Sequence, residues 1–144
     1  MMTRTFALLT CLLTAPLALL ADVAEAEFEQ RLRAAHAAEK VDAYRTIYDF
    51  TGTPAEVQKE LLEKWEALEG LEITQVTFRP VPEQMKTLLQ RPIEIAGKTY
   101  VINLEPLKLV ETTYFIDAEN EPVAHLFAIG IKDGKYYAPG LKPQ

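Results

Sequence analysis

The chain has 144 residues, of which 49% are hydrophobic and 25% charged, which is typical of one compact globular domain. Its formal net charge is −6 and its isoelectric point is near 5.0. Binding to nucleic acid or to acidic membranes requires a basic surface, so this composition argues against both as partners.

The N-terminus has the pattern of a secretory signal peptide. Arg4 gives a positive start, residues 6–20 form an uncharged apolar run, and an Ala-Glu-Ala triplet ends at Ala26. The run is shorter than the roughly 20 residues that a membrane-spanning helix needs. We therefore predict a signal peptide over residues 1–26, with cleavage after Ala21 as the alternative. The mature protein is then periplasmic or secreted and has no stable membrane anchor.

Removal of the leader changes which chemistry the chain can perform. Cys11 lies within residues 1–26, and the chain contains no serine, so the mature protein has neither residue. Cys11 is also not preceded by the small residue that lipid attachment requires. Disulfides, lipidation and serine or cysteine hydrolase activity are therefore not expected. The predicted mature chain has 118 residues, 14 basic and 19 acidic, which give a net charge of −5.

Residues 27–70 have helical periodicity. Residues 27–50 carry apolar stripes that predict helix with a break near Lys40. A second helix is predicted over residues 54–69, with Thr53 as its cap and Gly70 as its stop signal. Trp65 lies in the middle of that helix's apolar stripe, so we expect it to be buried.

After Gly70 the period changes to two, which indicates strands. Residues 71–79, 107–117 and 122–131 are predicted strands, and residues 83–91 form a helical turn. Ala96-Gly97 and Asp133-Gly134 are predicted hairpin turns. Residues 71–144 therefore read as an antiparallel meander.

Helices followed by a meander predict an α+β fold. We expect one domain over residues 27–144, with its N-terminal helices packed on one face of a curved antiparallel sheet of four to six strands. This element order resembles the cystatin-like and nuclear transport factor 2-like superfolds, and also small exported bacterial proteins of uncharacterised function. These superfolds include enzymes, binding modules and inhibitors, so the resemblance assigns no activity to any residue.

The hairpin of residues 107–131 carries the candidate site. A four-residue loop between Asp117 and Pro122 would place Tyr114 opposite His125 and Thr112 opposite Phe127. Tyr114 and His125 are candidate catalytic residues, and all four of these hairpin residues are candidate ligand-binding residues. The alternative interpretation is a packing contact at the edge of the core.

Metal and cofactor sites are not expected. His36 and Glu39 have a spacing that could suit a metal on a helix, but the chain contains just two histidines and lacks the usual zinc motifs. A solvated helix face is the preferred interpretation of this pair. The scattered glycines form no phosphate-binding loop.

Three functions remain open. The preferred one is a non-enzymatic binding or interaction domain for a small apolar ligand or a protein partner. The first alternative is a pocket enzyme of the isomerase or dehydratase type that uses Tyr114 and His125. The second is a peptidase-inhibitor-like module, although Gln75-Val76-Thr77 only partly matches the Gln-x-Val-x-Gly loop of cystatins.

The opposite face of the hairpin is too apolar for a solvated sheet. Its residues are Leu109, Thr113, Phe115, Leu126, Ala128 and Tyr137. If all helices lie on the other side, another subunit or the chain's own C-terminal segment is the expected cover, and the preferred prediction is a homodimer through the sheet.

Overall fold

The described residues that precede β2 are mainly helical, as predicted. The computed structural model describes residues 16–115 and 121–144, and their side chains from residue 23 onward. Helix α1 spans Pro16–Ala37, a 3₁₀ helix spans Val41–Ile47, helix α2 spans Ala55–Glu63 and a second 3₁₀ helix spans Glu66–Leu68. The predicted break near Lys40 is confirmed, because Glu39 has a positive φ of 53°. Helix α1 continues through both Ala21 and Ala26.

Helix α2 is shorter than predicted. It begins after Pro54 rather than with a Thr53 cap, and within the described chain no side chain caps it. The chain then tightens after Glu63, with the Trp65 amide donating to the Leu62 carbonyl at 3.1 Å. This tighter winding keeps Trp65 and Leu68 buried beyond the end of the helix. Gly70 adopts the left-handed conformation expected of a stop residue, with φ +77°.

Within residues 16–115 and 121–144, eight strands form two sheets. The strands are β1 Tyr48–Asp49, β2 Glu72–Pro80, β3 Ile93–Ile95, β4 Lys98–Ile102, β5 Lys108–Phe115, β6 Pro122–Lys132, β7 Lys135–Pro139 and β8 Leu141–Pro143. The five-stranded sheet has the order β1-β7-β6-β5-β2, and the three-stranded sheet has the order β3-β4-β8. The α+β class is confirmed. The larger sheet is not wholly antiparallel, because the short β1 runs parallel to β7.

Both predicted hairpin turns are confirmed. Ala96 and Gly97 connect β3 to β4 with φ values of 51° and 78°, and Asp133 and Gly134 connect β6 to β7 with 52° and 78°. Two consecutive residues with positive φ match the twist of the strands that they connect.

Helix α1 packs on one face of the five-stranded sheet. Phe28 and Leu32 are fully buried and share a hydrophobic cluster, here called the main core, with Val110, Tyr114 and Ile129 of the sheet. Arg31 of α1 reinforces this contact by donating hydrogen bonds to the carbonyls of Thr46 and Tyr136.

A bulge in β2 alters the predicted alternation of that strand. The register shifts between Ile73 and Gln75, which leaves Thr74 as the extra residue. As a result Ile73, Val76 and Phe78 all pack against the main core, although regular alternation would put Ile73 on the opposite face from the other two.

The second face of the larger sheet is partly covered by the protein itself. Helix α3, Glu83–Leu89, follows β2, and its Met85 and Leu89 pack with Val81 against the buried Leu109 and Ala128. The expectation that all helices lie on one face is therefore wrong for α3. Leu126 remains 46% exposed on this face.

A smaller cluster lies between α2 and the three-stranded sheet. Val57, Tyr100 and Leu141 are its buried members, and Leu61, Ile95 and Ile102 pack against them. This cluster is separate from the main core, so α2 contacts two hydrophobic layers. In the part of the chain that the structure covers, no helix is long and apolar enough to span a bilayer.

Candidate functional site

The register between β5 and β6 differs from the predicted one by two residues. His125 pairs with Thr112 rather than Tyr114, and Tyr114 pairs with Val123. The difference arises because Pro122 pairs with Phe115, so the strands separate earlier than the predicted four-residue loop requires. Asp117 lies outside the described residues. An even shift leaves every side chain on its predicted face, so Tyr114, Thr112 and His125 still share one side of the sheet.

Tyr114 and Thr112 lie inside the main core. Both side chains are fully buried. Burial raises the pKa of Tyr114 to about 12, and the adjacent Thr112 hydroxyl acts in the opposite direction. Tyr114 is thus a neutral phenol at physiological pH, packed 5.5 Å from the His36 ring between ring centroids.

His36 is not on a solvated helix face, which corrects the sequence interpretation. Its Nδ1 lies 2.7 Å from the Tyr44 hydroxyl, and its Nε2 bonds to the Leu71 carbonyl. A carbonyl can only accept, so Nε2 carries the proton of its hydrogen bond to Leu71. Glu39 remains exposed in the turn after α1. His36 therefore joins α1 to the 3₁₀ helix and to the start of β2.

His125 lies in an aromatic environment that Trp65 and Phe127 form. Its ring is perpendicular to that of Trp65, with centroids 4.8 Å apart, and lies 5.4 Å from Phe127. Within the described parts of the chain, its buried Nδ1 has no hydrogen-bond partner. Burial lowers the pKa of His125 below its usual value of 6.5, so the imidazole is neutral at physiological pH.

His125 and Phe127 form part of the wall of a pocket of about 410 Å³. The pocket lies where α2, the three-stranded sheet and strands β6 and β7 meet, between the main core and the smaller cluster. Its other apolar lining residues are Leu61, Trp65, Leu89, Ile93, Ile95, Ile102, Ala128, Ala138, Pro139 and Leu141. Pockets of this size and apolar character accommodate small organic molecules.

Tyr48 contributes a hydroxyl to the pocket wall, and this hydroxyl is hydrogen-bonded to Trp65. The Trp65 indole N–H donates to the Tyr48 hydroxyl oxygen at 2.9 Å, and the indole stacks on Tyr44 with centroids 4.3 Å apart. Burial raises the pKa of Tyr48, and the hydrogen bond from Trp65 partly offsets this effect. The Tyr48 side chain is therefore a neutral phenol, and its oxygen accepts one hydrogen bond from Trp65.

Two opposite charges also line the pocket. Glu60 and Lys64 are one helical turn apart, on the last turn of α2 and just after it, and both are exposed. They place one negative and one positive group at the solvent side of an apolar pocket. Neither sign of ligand charge is strongly favoured by this pair.

A second polar cluster has a structural role. Asp49 accepts hydrogen bonds from the Thr51 amide and hydroxyl and from Lys132, at 3.1, 2.6 and 3.1 Å. Burial opposes ionisation of Asp49, but these bonds and the Lys132 charge outweigh it and lower the pKa of the carboxyl. The cluster fastens the loop after β1 to the end of β6. Across the residues that the structure describes, no group of three or more His, Cys, Asp or Glu could hold a metal ion.

The structure brings together some of the predicted site residues and adds others. His125 and Phe127 line the pocket, whereas Tyr114 and Thr112 lie behind it in the main core. Sequence reasoning missed Ile95, Ile102 and Leu141, which the smaller sheet contributes. The sequence did contain a signal for Ile95 and Ile102. Apolar residues alternate on both sides of the Ala96-Gly97 turn, which predicts a hairpin with one apolar face that must pack against another element. Comparison of the chain with family models, curated proteins and solved structures finds no match.

Proposed function

We propose that the protein is an exported binding domain that holds a small apolar molecule in the pocket between α2 and the two sheets. The observation that carries this proposal is an apolar pocket of about 410 Å³ with the neutral imidazole of His125 in its wall. A concave, mostly apolar site with few polar groups is the usual form of a small-molecule binding site.

The position of Tyr114 favours binding over the isomerase or dehydratase alternative. An acid and a base that act on one substrate must both reach the reacting atoms. Tyr114 is fully buried and contacts His36, while His125 contacts Trp65 and the pocket. A substrate in the pocket would therefore meet one member of the proposed pair.

The position of Gln75-Val76-Thr77 gives the inhibitor alternative little support. These residues pair with Thr113, Thr112 and Glu111 across β2 and β5. They therefore lie within a strand of the sheet rather than in a loop that could enter a protease.

Binding can be tested with N-phenylnaphthylamine, an uncharged apolar probe whose fluorescence rises in apolar surroundings. Leu61→Phe should narrow the pocket, because Leu61 is one of its lining residues. Leu88→Phe is the matched control, since Leu88 is 56% exposed on α3 and lies outside the pocket lining.

The proposal predicts saturable binding to the unaltered protein and to Leu88→Phe, with weaker binding to Leu61→Phe. Absence of saturable binding to the unaltered protein would contradict it. Equal affinities for all three proteins would show that the probe binds somewhere else.

A further inference from the structure

We propose, resting on the function proposed above, that the pocket selects apolar molecules that carry one uncharged oxygen, either a hydroxyl or a carbonyl. The oxygen would be held between the Tyr48 hydroxyl and the His125 imidazole. Both side chains line the pocket, and both adjoin Trp65.

The hydrogen bonds of the wall leave specific groups free. The Tyr48 oxygen accepts from the Trp65 indole at 2.9 Å, which leaves the hydroxyl proton available as a donor. A neutral imidazole offers one donor and one acceptor. The Nδ1 of His125 is shielded from solvent and therefore from a molecule in the pocket, which leaves Nε2 as the nitrogen that a ligand can reach. In the proposed mode of binding, a ligand oxygen accepts from Tyr48 and bonds to Nε2 of His125.

A purely hydrocarbon ligand fits this wall less well. It would displace water from the pocket and supply no partner for Tyr48 or His125. A polar group that is buried without a partner costs free energy, so the site should discriminate against molecules that lack the oxygen.

A carboxylate also fits less well. Of the pocket residues that the structure describes, the charged ones are Glu60 and Lys64, which are exposed and opposite in sign. A carboxylate inside the pocket would lose its hydration among neutral groups, and the net charge of −6 adds no attraction at long range.

A matched series of probes tests this selection. Butylbenzene, para-butylphenol and para-butylbenzoate share one apolar body and differ in the polar group. Trp65 is the only tryptophan of the chain, so its indole N–H gives a single reporter signal in a proton–nitrogen NMR spectrum. We expect para-butylphenol to bind about threefold to tenfold more tightly than butylbenzene, and the benzoate to bind most weakly.

Three variants locate the effect. Tyr48→Phe and His125→Phe should each reduce the preference for the phenol over the hydrocarbon. Tyr137→Phe should leave it unchanged, because Tyr137 lies outside the pocket lining and packs against Arg31 of α1. Far-UV circular dichroism checks that each variant is folded. If a variant is unfolded, the order in which the unaltered protein binds the three probes tests the selection.

The outcomes separate this inference from the proposed function. Butylbenzene binding as tightly as the phenol, or the benzoate binding best, would overturn the selection for an uncharged oxygen and leave a binding pocket in place. If none of the three probes shifts the Trp65 signal at saturating concentration, the pocket function and the selection both fail.

Discussion

The Trp65 indole N–H donates to the Tyr48 hydroxyl at 2.9 Å, which joins the segment after α2 to β1 across the candidate pocket. The same indole stacks on Tyr44, 4.3 Å away and nearly parallel to it, and meets His125 edge to face. Trp65 is therefore held on three sides. It contributes to the main core and to the pocket wall at once, so its side chain is central both to stability and to binding.

Trp65→Ala should strongly destabilise the protein. Trp65 is 2% exposed, and large-to-small substitutions of buried aromatic residues cost about 3–5 kcal/mol. Urea unfolding followed by far-UV circular dichroism measures the loss without relying on tryptophan fluorescence. Leu88→Ala is an exposed control and should change the free energy of unfolding by less than about 0.5 kcal/mol. A loss below about 1 kcal/mol for Trp65→Ala would contradict its place in the core.

His125 should make the stability of the protein depend on pH. Because burial lowers its pKa in the folded state, protonation of His125 favours the unfolded state. Its contribution to stability is complete above the unfolded-state value of 6.5 and is lost as the pH falls through the lower folded-state pKa. His125→Phe should remove this contribution.

The measurement is the free energy of unfolding of both proteins from above pH 6.5 down to about pH 5, where most carboxylates are still ionised. The unaltered protein should lose more stability over this range than His125→Phe. If the free energy of unfolding falls equally with pH in both proteins, the prediction is wrong.

The fold class and the sheet faces could be predicted from the sequence because they depend on periodicity. Alternating apolar residues determine which side of β5 and β6 faces α1, so Tyr114 and His125 were correctly assigned to one face. The pairing itself depends on where the connection between the strands begins, and no residue pattern marks that point. The predicted pairing of β5 with β6 is therefore displaced by two residues, whereas the predicted sheet face of each side chain is correct.

The pocket could not be predicted from the sequence because its lining residues come from segments that are far apart in the chain. Leu141 lies in β8, a three-residue strand that follows Gly140 and ends with Pro143, and this strand has too few residues to show a period. His36 was misread for a related reason. Its partners, Tyr44 and the Leu71 carbonyl, become neighbours only when α1 packs beside the start of β2.

A homodimer would have to use the part of the outer sheet face that α3 leaves open. Leu126 is 46% exposed there, with Phe115 half-buried on the same face. If the predicted dimer forms, Leu126→Asp should produce monomers at micromolar concentration without loss of stability. Leu88→Asp, an equally drastic change on the exposed side of α3, should leave the dimer intact. Sedimentation equilibrium measures both, and a monomeric unaltered protein would refute the dimer.

Export predicts a shortened N-terminus. Mass spectrometry of protein recovered from an exporting host should find Glu27 as the first residue, or Asp22 if cleavage follows Ala21. Recovery of intact Met1 in the membrane fraction would refute processing.

The two cleavage sites differ in the contacts that residues 22–26 make, which include the packing of Ala24 against the main core. Glu25 pairs with Lys108, and its side chain is 19% exposed, so cleavage after Ala26 removes this ion pair and cleavage after Ala21 retains it. The protein that begins at residue 27 should be less stable than the one that begins at residue 22, because it lacks both the partly solvated ion pair and the packing of Ala24. A protein that fails to fold from residue 27 would favour the earlier site.

Direct contacts between a bound apolar molecule and the pocket residues test the central claim most closely. Intermolecular nuclear Overhauser effects can be recorded between N-phenylnaphthylamine and isotope-labelled protein. The account predicts contacts from the probe to Trp65, Leu61 and Phe127, which line the pocket from separate elements. Contacts confined to exposed side chains elsewhere, such as Leu88 or Leu126, would contradict it.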